Sequence, residues 1–143
     1  MDDEYIKSLS QEEKIVFLKM FCRLIKADGV IDAEEISFLK SIAARYGVGN
    51  DVIVSIVKNS SSINIEEEAR KITSRNKALH LLRELCLLAN LDEDLHDNEL
   101  DIIIDTSRAM GIEDDKVILI NRFVLDSLIL AKTGRVIMEE ENG

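Results

Sequence analysis

The sequence predicts an all-α fold, a bundle of about seven helices built from two αα-hairpins that a pseudo-twofold axis relates. Composition is the first observation, because the chain of 143 residues has no proline and is dominated by residues such as Leu, Glu, Lys and Ala that favour helix. A stretch that occurs twice is the second, and helix-capping motifs along the chain are the third. Together they predict a single domain over residues 1–143.

The repeated stretch runs from Leu24 to Ile36 and returns from Leu88 to Leu100. A constant offset of 64 residues, without a gap, aligns further positions on both sides. This register indicates an internal duplication over about 15–47 and 79–111. The aligned pairs are Cys22 with Cys86, Leu24 with Leu88, Asp28 with Asp92, Ile31 with Leu95, Glu35 with Glu99, Gly47 with Gly111 and Asp51 with Asp115.

Capping motifs and glycines bound the first two large helices. Ser10–Glu13 and Asp32–Glu35 are capping boxes, which predict a helix start at each place. The first helix is predicted to end near Ala27, with Gly29 as its stop, and the second to end at Gly47, because glycine readily takes the left-handed conformation that ends helices. Since so few residues separate the two helices, we expect them to form an αα-hairpin.

The middle of the chain is predicted to join the two hairpins. Asn50 is the expected N-cap of a helix that ends at about Lys58, and Asn64 is the expected N-cap of a helix over 65–72. The polar run at 59–63 between them predicts a loop.

The second hairpin and a final helix complete the chain. Ser74 or Asn76 is expected to open the first helix of this hairpin, and Gly111 to end the second. The last helix is predicted from about 114 to 132, with Gly134 as its stop.

This last helix is apolar around almost its whole circumference. Such a helix is either enclosed by its own domain or shared with another chain. Complete enclosure is demanding for a small domain, which favours a homodimer through this helix, or a contact with another protein. The apolar residues are Val117, Ile118, Leu119, Ile120, Phe123, Val124, Leu125, Leu128, Ile129 and Leu130.

Charge, hydropathy and cysteine usage bound the partners and the location. A net charge of -10 argues against a nucleic-acid partner, because phosphate binding needs a basic face. The longest apolar run, Val117 to Ala131, is interrupted by polar residues, so no membrane insertion is expected. Cys22 and Cys86 lie in apolar helical stretches, which is typical of reduced core thiols. These features predict a cytoplasmic protein.

The turn of the first hairpin resembles a known family. Residues Ala27–Ile36 resemble the A-D-G-x-I-x-x-x-E signature of TerB-like domains, which include tellurite-resistance TerB and the N-terminal domain of DjlA-type co-chaperones. The resemblance covers about Ser10 to Leu130, although the second copy has Glu93 where the signature has glycine. It implies a helical bundle of two hairpins, a link to metal or oxyanion stress in bacteria, acidic turn residues as candidate cation ligands, and no catalytic residues.

Acidic residues concentrate in the second repeat. Between Asn90 and Asp115 there are ten acids and one cation, Arg108. In the simpler interpretation, the acids at helix starts are caps and the others form a solvated face. The predicted capping acids are Asp32, Glu35, Asp97 and Glu99.

A second interpretation places a divalent cation such as calcium at the turns. Asp28 and Asp92 recur at predicted helix C-termini, where the helix dipole disfavours a carboxylate, so each needs a partner. A backbone N–H, an arginine such as Arg83 or Arg108, or a bound cation meets this need. Calcium takes six to eight oxygen ligands, and the candidates are Asp28, Asp32, Glu35, Asp92, Asp94, Asp97 and Glu99.

No residue set in the sequence predicts an enzyme. Ser60–Ser62 lacks a neighbouring histidine base, and Glu93 with His96 has no second copy to complete a di-iron site. Two hypotheses therefore follow. The chain is either a stress-associated TerB-type domain that binds a divalent cation, or a protein-interaction and dimerisation module with no metal site.

Overall fold

The computed structural model describes residues 3–26, 31–91 and 97–142, and these residues form eight α-helices and include a 3-10 turn at Ser60–Ser62, with no strand among them. The all-α prediction is confirmed. In chain order the elements are α1 (Asp3–Ser8), α2 (Gln11–Ile25), α3 (Ala33–Arg45), α4 (Asn50–Lys58), the 3-10 turn (Ser60–Ser62), α5 (Ile65–Ala69), α6 (Arg75–Asn90), α7 (Asp97–Ala109) and α8 (Asp114–Asn142).

The helix starts agree with the capping motifs. Ser10 Oγ accepts from the Glu13 N–H at 3.1 Å, and the Glu13 carboxylate accepts from the Ser10 N–H at 2.8 Å. Asp32 and Glu35 exchange the same pair of bonds at 2.8 and 3.0 Å. Ser74 caps α6. Both capping boxes are therefore confirmed, because these bonds satisfy N–H groups that a helix start leaves without an intrahelical partner.

Two boundaries in the middle of the chain differ from the prediction. Asn50 is the first residue of α4, and the cap is Gly49, which makes no side-chain bond. Asn64 caps α5 as predicted, but α5 ends at Ala69 instead of continuing to 72. The Ile72 N–H donates to the Ala69 carbonyl at 3.0 Å, so a tight turn replaces the last helical residues.

The last helix is longer than predicted. α8 continues through Gly134 to Asn142, and among the described glycines only Gly47 and Gly111 have a positive φ, 70° and 75°. The prediction that Gly134 stops the helix is wrong, because an interior glycine costs only about 1 kcal/mol relative to alanine and good helix formers follow it. No described helix, α8 included, combines the length and apolar content that a membrane span needs.

The duplication extends further than the sequence predicted. The same 64-residue offset that relates α2 to α6 and α3 to α7 also relates the starts of α4 and α8. Gly47 and Gly111 end equivalent helices, and the Val48 and Ile112 N–H groups donate to carbonyls five residues back at 2.8 and 2.9 Å. The repeated unit is therefore three helices rather than a hairpin of two.

The hydrophobic core joins the two repeats. Leu18 of α2 and Leu81 and Leu85 of α6 are fully buried there. Cys22 and Cys86, which occupy equivalent positions, are free thiols inside the same core. Burial raises the pKa of both thiols, so both are neutral at physiological pH. The prediction of core thiols is confirmed.

Candidate protein-interaction surface

The C-terminal part of α8 leaves the body of the domain. Every residue from 129 to 139 is exposed, and we name these residues the projecting segment. Ile129 is 62% exposed and Leu130 is 74% exposed, whereas Val117 and Val124, nearer the start of the same helix, are buried. One helix therefore has a part that belongs to the core and a part whose residues are all exposed.

The apolar circumference of α8 is not enclosed by its own domain. Val117 and Val124 join the core, and Ile120 and Leu128 pack at its margin. The interpretation that another chain contacts this helix stays a prediction. It is consistent with the exposed side chains, because monomers rarely expose so long a run of apolar residues. The exposed apolar residues of α8 are Ile118, Leu119, Phe123, Leu125, Ile129, Leu130, Val136, Ile137 and Met138.

A cleft between α3 and α6 is a second apolar surface, which we name the α3–α6 groove. It consists of two adjoining cavities of about 300 and about 230 Å³, and both are lined by Phe38, Leu88 and Leu91. Phe38 is 41% exposed and Leu91 is 51% exposed. Grooves of this kind accept the apolar face of a helix.

Carboxylates border this groove. Glu34, Glu35 and Glu99 line the cavity near the N-terminal ends of α3 and α7, and Glu84 lines the other cavity together with Arg45. Glu84 is buried, and this burial raises the pKa of its carboxyl group even though Arg83 and Arg45 act in the opposite direction. The groove therefore suits a ligand that combines apolar side chains with cationic ones.

The structure describes the predicted cation ligands only in part. Asp28, Asp92 and Asp94 lie outside the described residues, and so does the side chain of Asp97, the first residue of α7. Asp32 and Glu35 cap α3 through their two reciprocal hydrogen bonds, so the capping interpretation is confirmed for these two acids. Glu99, the remaining candidate, lines the α3–α6 groove.

Glu35 and Glu99 do lie at one cavity, so the starts of α3 and α7 approach each other. Among the residues described, however, no group of three or more His, Cys, Asp or Glu side chains is arranged to hold a metal ion. Arg83 lies over the Phe123 ring at 5.9 Å, and Arg108 pairs with Asp114 at 3.0 Å. Cation binding at the turns stays a prediction.

Sequence reasoning missed the α3–α6 groove. Leu88 recurs at helical spacing with the true core residue Leu85, and the pattern assigns both to one apolar face, whereas Phe38 is not part of the predicted apolar face of its helix. The groove residues differ from the core residues only because no helix covers them. The local sequence contains no signal for which helices pack against each other.

These features define the class of protein. It is an all-α domain of two three-helix repeats that carries a projecting apolar helix and an open, acid-bordered groove. No family model, no curated protein and no solved structure matches the chain. The resemblance of Ala27–Ile36 to TerB-like domains therefore stays a prediction, and the functional argument rests on the geometry.

Proposed function

We propose that this protein is a non-enzymatic protein-interaction module and that the projecting segment is its binding element. One observation carries the proposal. Eleven consecutive helical residues, 129–139, are all exposed, and five of them are large and apolar. The domain's own core uses none of these five side chains, which are Ile129, Leu130, Val136, Ile137 and Met138.

The energetics of such a segment favour a partner. The projecting segment continues α8 and so needs no new helix nucleus, but it lacks the packing of an apolar face from which most helical stability in proteins comes. Each large apolar side chain that becomes fully buried contributes roughly 1.5–3 kcal/mol. A partner that covers the projecting segment therefore both removes apolar surface from water and holds the segment helical.

A photoreactive amino acid at Val136 tests this proposal in the cell, with the same amino acid at Val52 as the matched control. Both positions are exposed valines, 48% and 36%, one on the projecting segment and one on α4. We expect Val136 to give covalent adducts of one or a few discrete masses, and Val52 to give none. The absence of an adduct at Val136, or the same diffuse adducts at both positions, would contradict the proposal.

We propose cation binding as a second candidate function, favoured by a different observation. Glu35 and Glu99 are equivalent in the two repeats and line one cavity. In this alternative, which follows the resemblance to TerB-like domains, the turn acids bind calcium through carboxylate and backbone oxygens as part of a stress response.

Calcium titration of the folded protein separates this alternative from plain helix capping. Calcium is expected to raise the thermal midpoint, and Asp28→Asn to reduce that rise, because a ligand stabilises in proportion to its occupancy of the folded state. Asp101→Asn, on an exposed position of α7, is the control and leaves the rise unchanged. The alternative is rejected if millimolar calcium acts only as matched ionic strength does, or if both substitutions act alike.

A further inference from the structure

In the first repeat, α5 covers the contact between α2 and α7. α5 packs against both helices, and Lys19 of α2 binds Glu68 of α5 at 2.9 Å. Ala69 at the end of α5 is fully buried, and Ile72 just beyond it is also buried. This short helix therefore closes the surface where the first repeat meets the second.

In the second repeat, the equivalent contact is between α6 and α3, and it is open. Thr106 of α7 donates to the Met20 sulfur of α2 at 3.8 Å. The 64-residue offset converts these two residues to Ile42 of α3 and Glu84 of α6, and both line the α3–α6 groove. The groove is therefore the counterpart of the contact that α5 covers.

Equivalent residues show the effect of the missing cover. Ile102 on α7 is 7% exposed, whereas Phe38, its equivalent on α3, is 41% exposed. The two positions have the same place in the repeat and both carry a large apolar side chain. The groove thus has the character of a helix-binding surface without its helix.

A counterpart of α5 exists in the chain, and it lies in the projecting segment. Shifted by 64 residues, Ile65–Ala69 becomes Ile129–Thr133. Two of its three apolar positions are kept, because Ile65 and Ile72 correspond to Ile129 and Val136, whereas the buried Ala69 corresponds to Thr133. Positions 129 and 136 are seven residues apart and so lie on one face of α8.

The continuity of α8 keeps this counterpart away from its own groove. In the first repeat α4 ends at Lys58, and the polar residues 59–64 turn the chain before α5 begins. The equivalent residues 123–128 read Phe-Val-Leu-Asp-Ser-Leu and continue the helix. The stretch that corresponds to α5 is consequently part of a helix that leaves the body.

We propose that residues 129–136 of a second copy fill the α3–α6 groove, and that two copies exchange these stretches about a twofold axis. This inference rests on the proposed function and names its partner. Exchange of an identical element between copies is a low-cost route to a dimer, because each groove receives the element that the repeat provides for it.

The charges of the two sides have opposite net sign. In the first repeat, Glu68 of α5 pairs with Lys19 of α2. Their equivalents, Lys132 and Arg83, are both cations, so this ion pair is not repeated. Residues 129–136 carry Lys132 and Arg135 and no acid, whereas the receiving groove is lined by one cation, Arg45, and by the acids Glu34, Glu35, Glu84 and Glu99.

The size of the contact is at the lower end of the range for stable dimers. Each copy contributes residues 129–136 of its projecting segment and the eleven groove-lining residues that are exposed or half-buried. Stable interfaces use about 20–30 residues on each side. Direct pairing of two α8 helices alone leaves both grooves open.

Two variants divide the proposed contact into its halves. The helix variant Ile129→Glu with Val136→Glu keeps the groove intact, and the groove variant Phe38→Glu with Leu91→Glu keeps the helix intact. All four side chains are exposed in one copy, so both variants are expected to fold, which circular dichroism checks. If the groove variant loses helicity, Phe38→Ala with Leu91→Ala replaces it. Light scattering at micromolar concentration should show a wild-type dimer, weakened more than about tenfold in either variant.

Mixing the two variants is the decisive step. A mixed pair retains one intact helix facing one intact groove, so native mass spectrometry should detect dimers of mixed composition at concentrations at which neither variant alone dimerises. Leu130→Glu with Ile137→Glu is the matched control. It places the same charges on the other side of the projecting segment, and it should remain dimeric.

The outcomes distinguish failure of the exchange from failure of the proposed function. A groove variant that dimerises as wild type does, a mixture without mixed dimers, or a monomeric Leu130 and Ile137 control overturns the exchange but leaves α8 as a binding helix. A wild-type monomer at every concentration also overturns the exchange. The Val136 adduct then decides the proposed function alone, since an adduct with another protein supports it and the absence of any adduct rejects it.

Discussion

The helices α4 and α8 begin at equivalent positions of the two repeats and end differently. Asn50 and Asp114 start them, and each buries an apolar side chain one turn later, Ile53 at 1% and Val117 at 5% exposure. α4 ends at Lys58. α8 continues for twenty residues beyond Arg122, the equivalent of Lys58.

This difference in how α4 and α8 end determines which apolar surfaces of the two repeats are covered and which stay exposed. The first repeat ends its third helix, turns, and covers its own apolar surface with α5. The second repeat omits the turn, so its groove and its projecting segment both stay exposed. Two repeats that begin alike and end differently are the basis of our proposal that the ending serves binding rather than folding.

The largest expected difference in the free energy of unfolding is between isoleucine truncations on the two helices. Ile53→Ala on α4 should lower the free energy of unfolding by about 2–5 kcal/mol, because it removes buried methyl groups and leaves a cavity. Ile129→Ala on the projecting segment should change it by less than about 0.5 kcal/mol. Urea unfolding of dilute protein measures both. Equal losses would mean that the projecting segment is part of the folded core.

Two glycines give the next largest effect, with opposite signs. Gly47→Ala should destabilise by about 1–2 kcal/mol, because φ there is 70° and a side chain is strained in that conformation. Gly134→Ala should instead favour the helix by up to about 1 kcal/mol, because Gly134 lies inside α8. A Cβ at either position meets no atom within 4 Å, so backbone conformation alone decides the sign. Hydrogen exchange of residues 129–139 reports the second change, and faster exchange there would contradict it.

The smallest effect concerns the ion pair that joins the two repeats. Lys77 of α6 donates to Glu13 of α2 at 2.8 Å. Burial works against ionisation of Glu13, but hydrogen bonds from Lys77 and Ser10 outweigh it, so the pKa of Glu13 lies below its ordinary value. The stability from this pair is therefore present above the ordinary carboxyl pKa of about 4.3, and it is lost as the pH falls through the lower, folded-state pKa.

Lys77→Met tests this sign. At pH 7 the variant should be less stable than wild type by on the order of 1 kcal/mol, and the difference should shrink in acid as Glu13 becomes protonated. Arg75→Met is the control, because its partner Glu113 lies on the exposed surface, and it should leave unfolding unchanged at both pH values. A deficit of Lys77→Met that stays constant down to pH 2 would show that lost packing, not charge, is responsible.

Local chemistry explains which parts of this structure the sequence predicted. Ser10, Asp32 and Ser74 cap helices because their side chains accept from nearby N–H groups, and Gly47 ends a helix because it tolerates a positive φ. Each such feature depends on a few neighbouring residues, so its residue types are sufficient to predict it.

The rest depends on contacts between distant parts of the chain. Gly134 has the residue type of a helix stop, yet the residues on both sides favour helix and α8 continues through it. Leu88 and Leu85 fit one helical pattern, but Leu85 is fully buried and Leu88 lines an open groove. Among the predicted cation ligands that the structure describes, Asp32 and Glu35 have a capping role that local hydrogen bonds determine.

The measurement that tests the account most directly is the solution mass of the chain shortened to end at Leu128. This truncation removes the projecting segment and keeps every residue of the buried core. The account predicts that wild type has twice its chain mass by light scattering at micromolar concentration, and that the shortened chain is a monomer with unchanged helicity per residue. A shortened chain that still has twice its mass, or one that no longer folds, would contradict the claim that the end of α8 serves binding and not the fold.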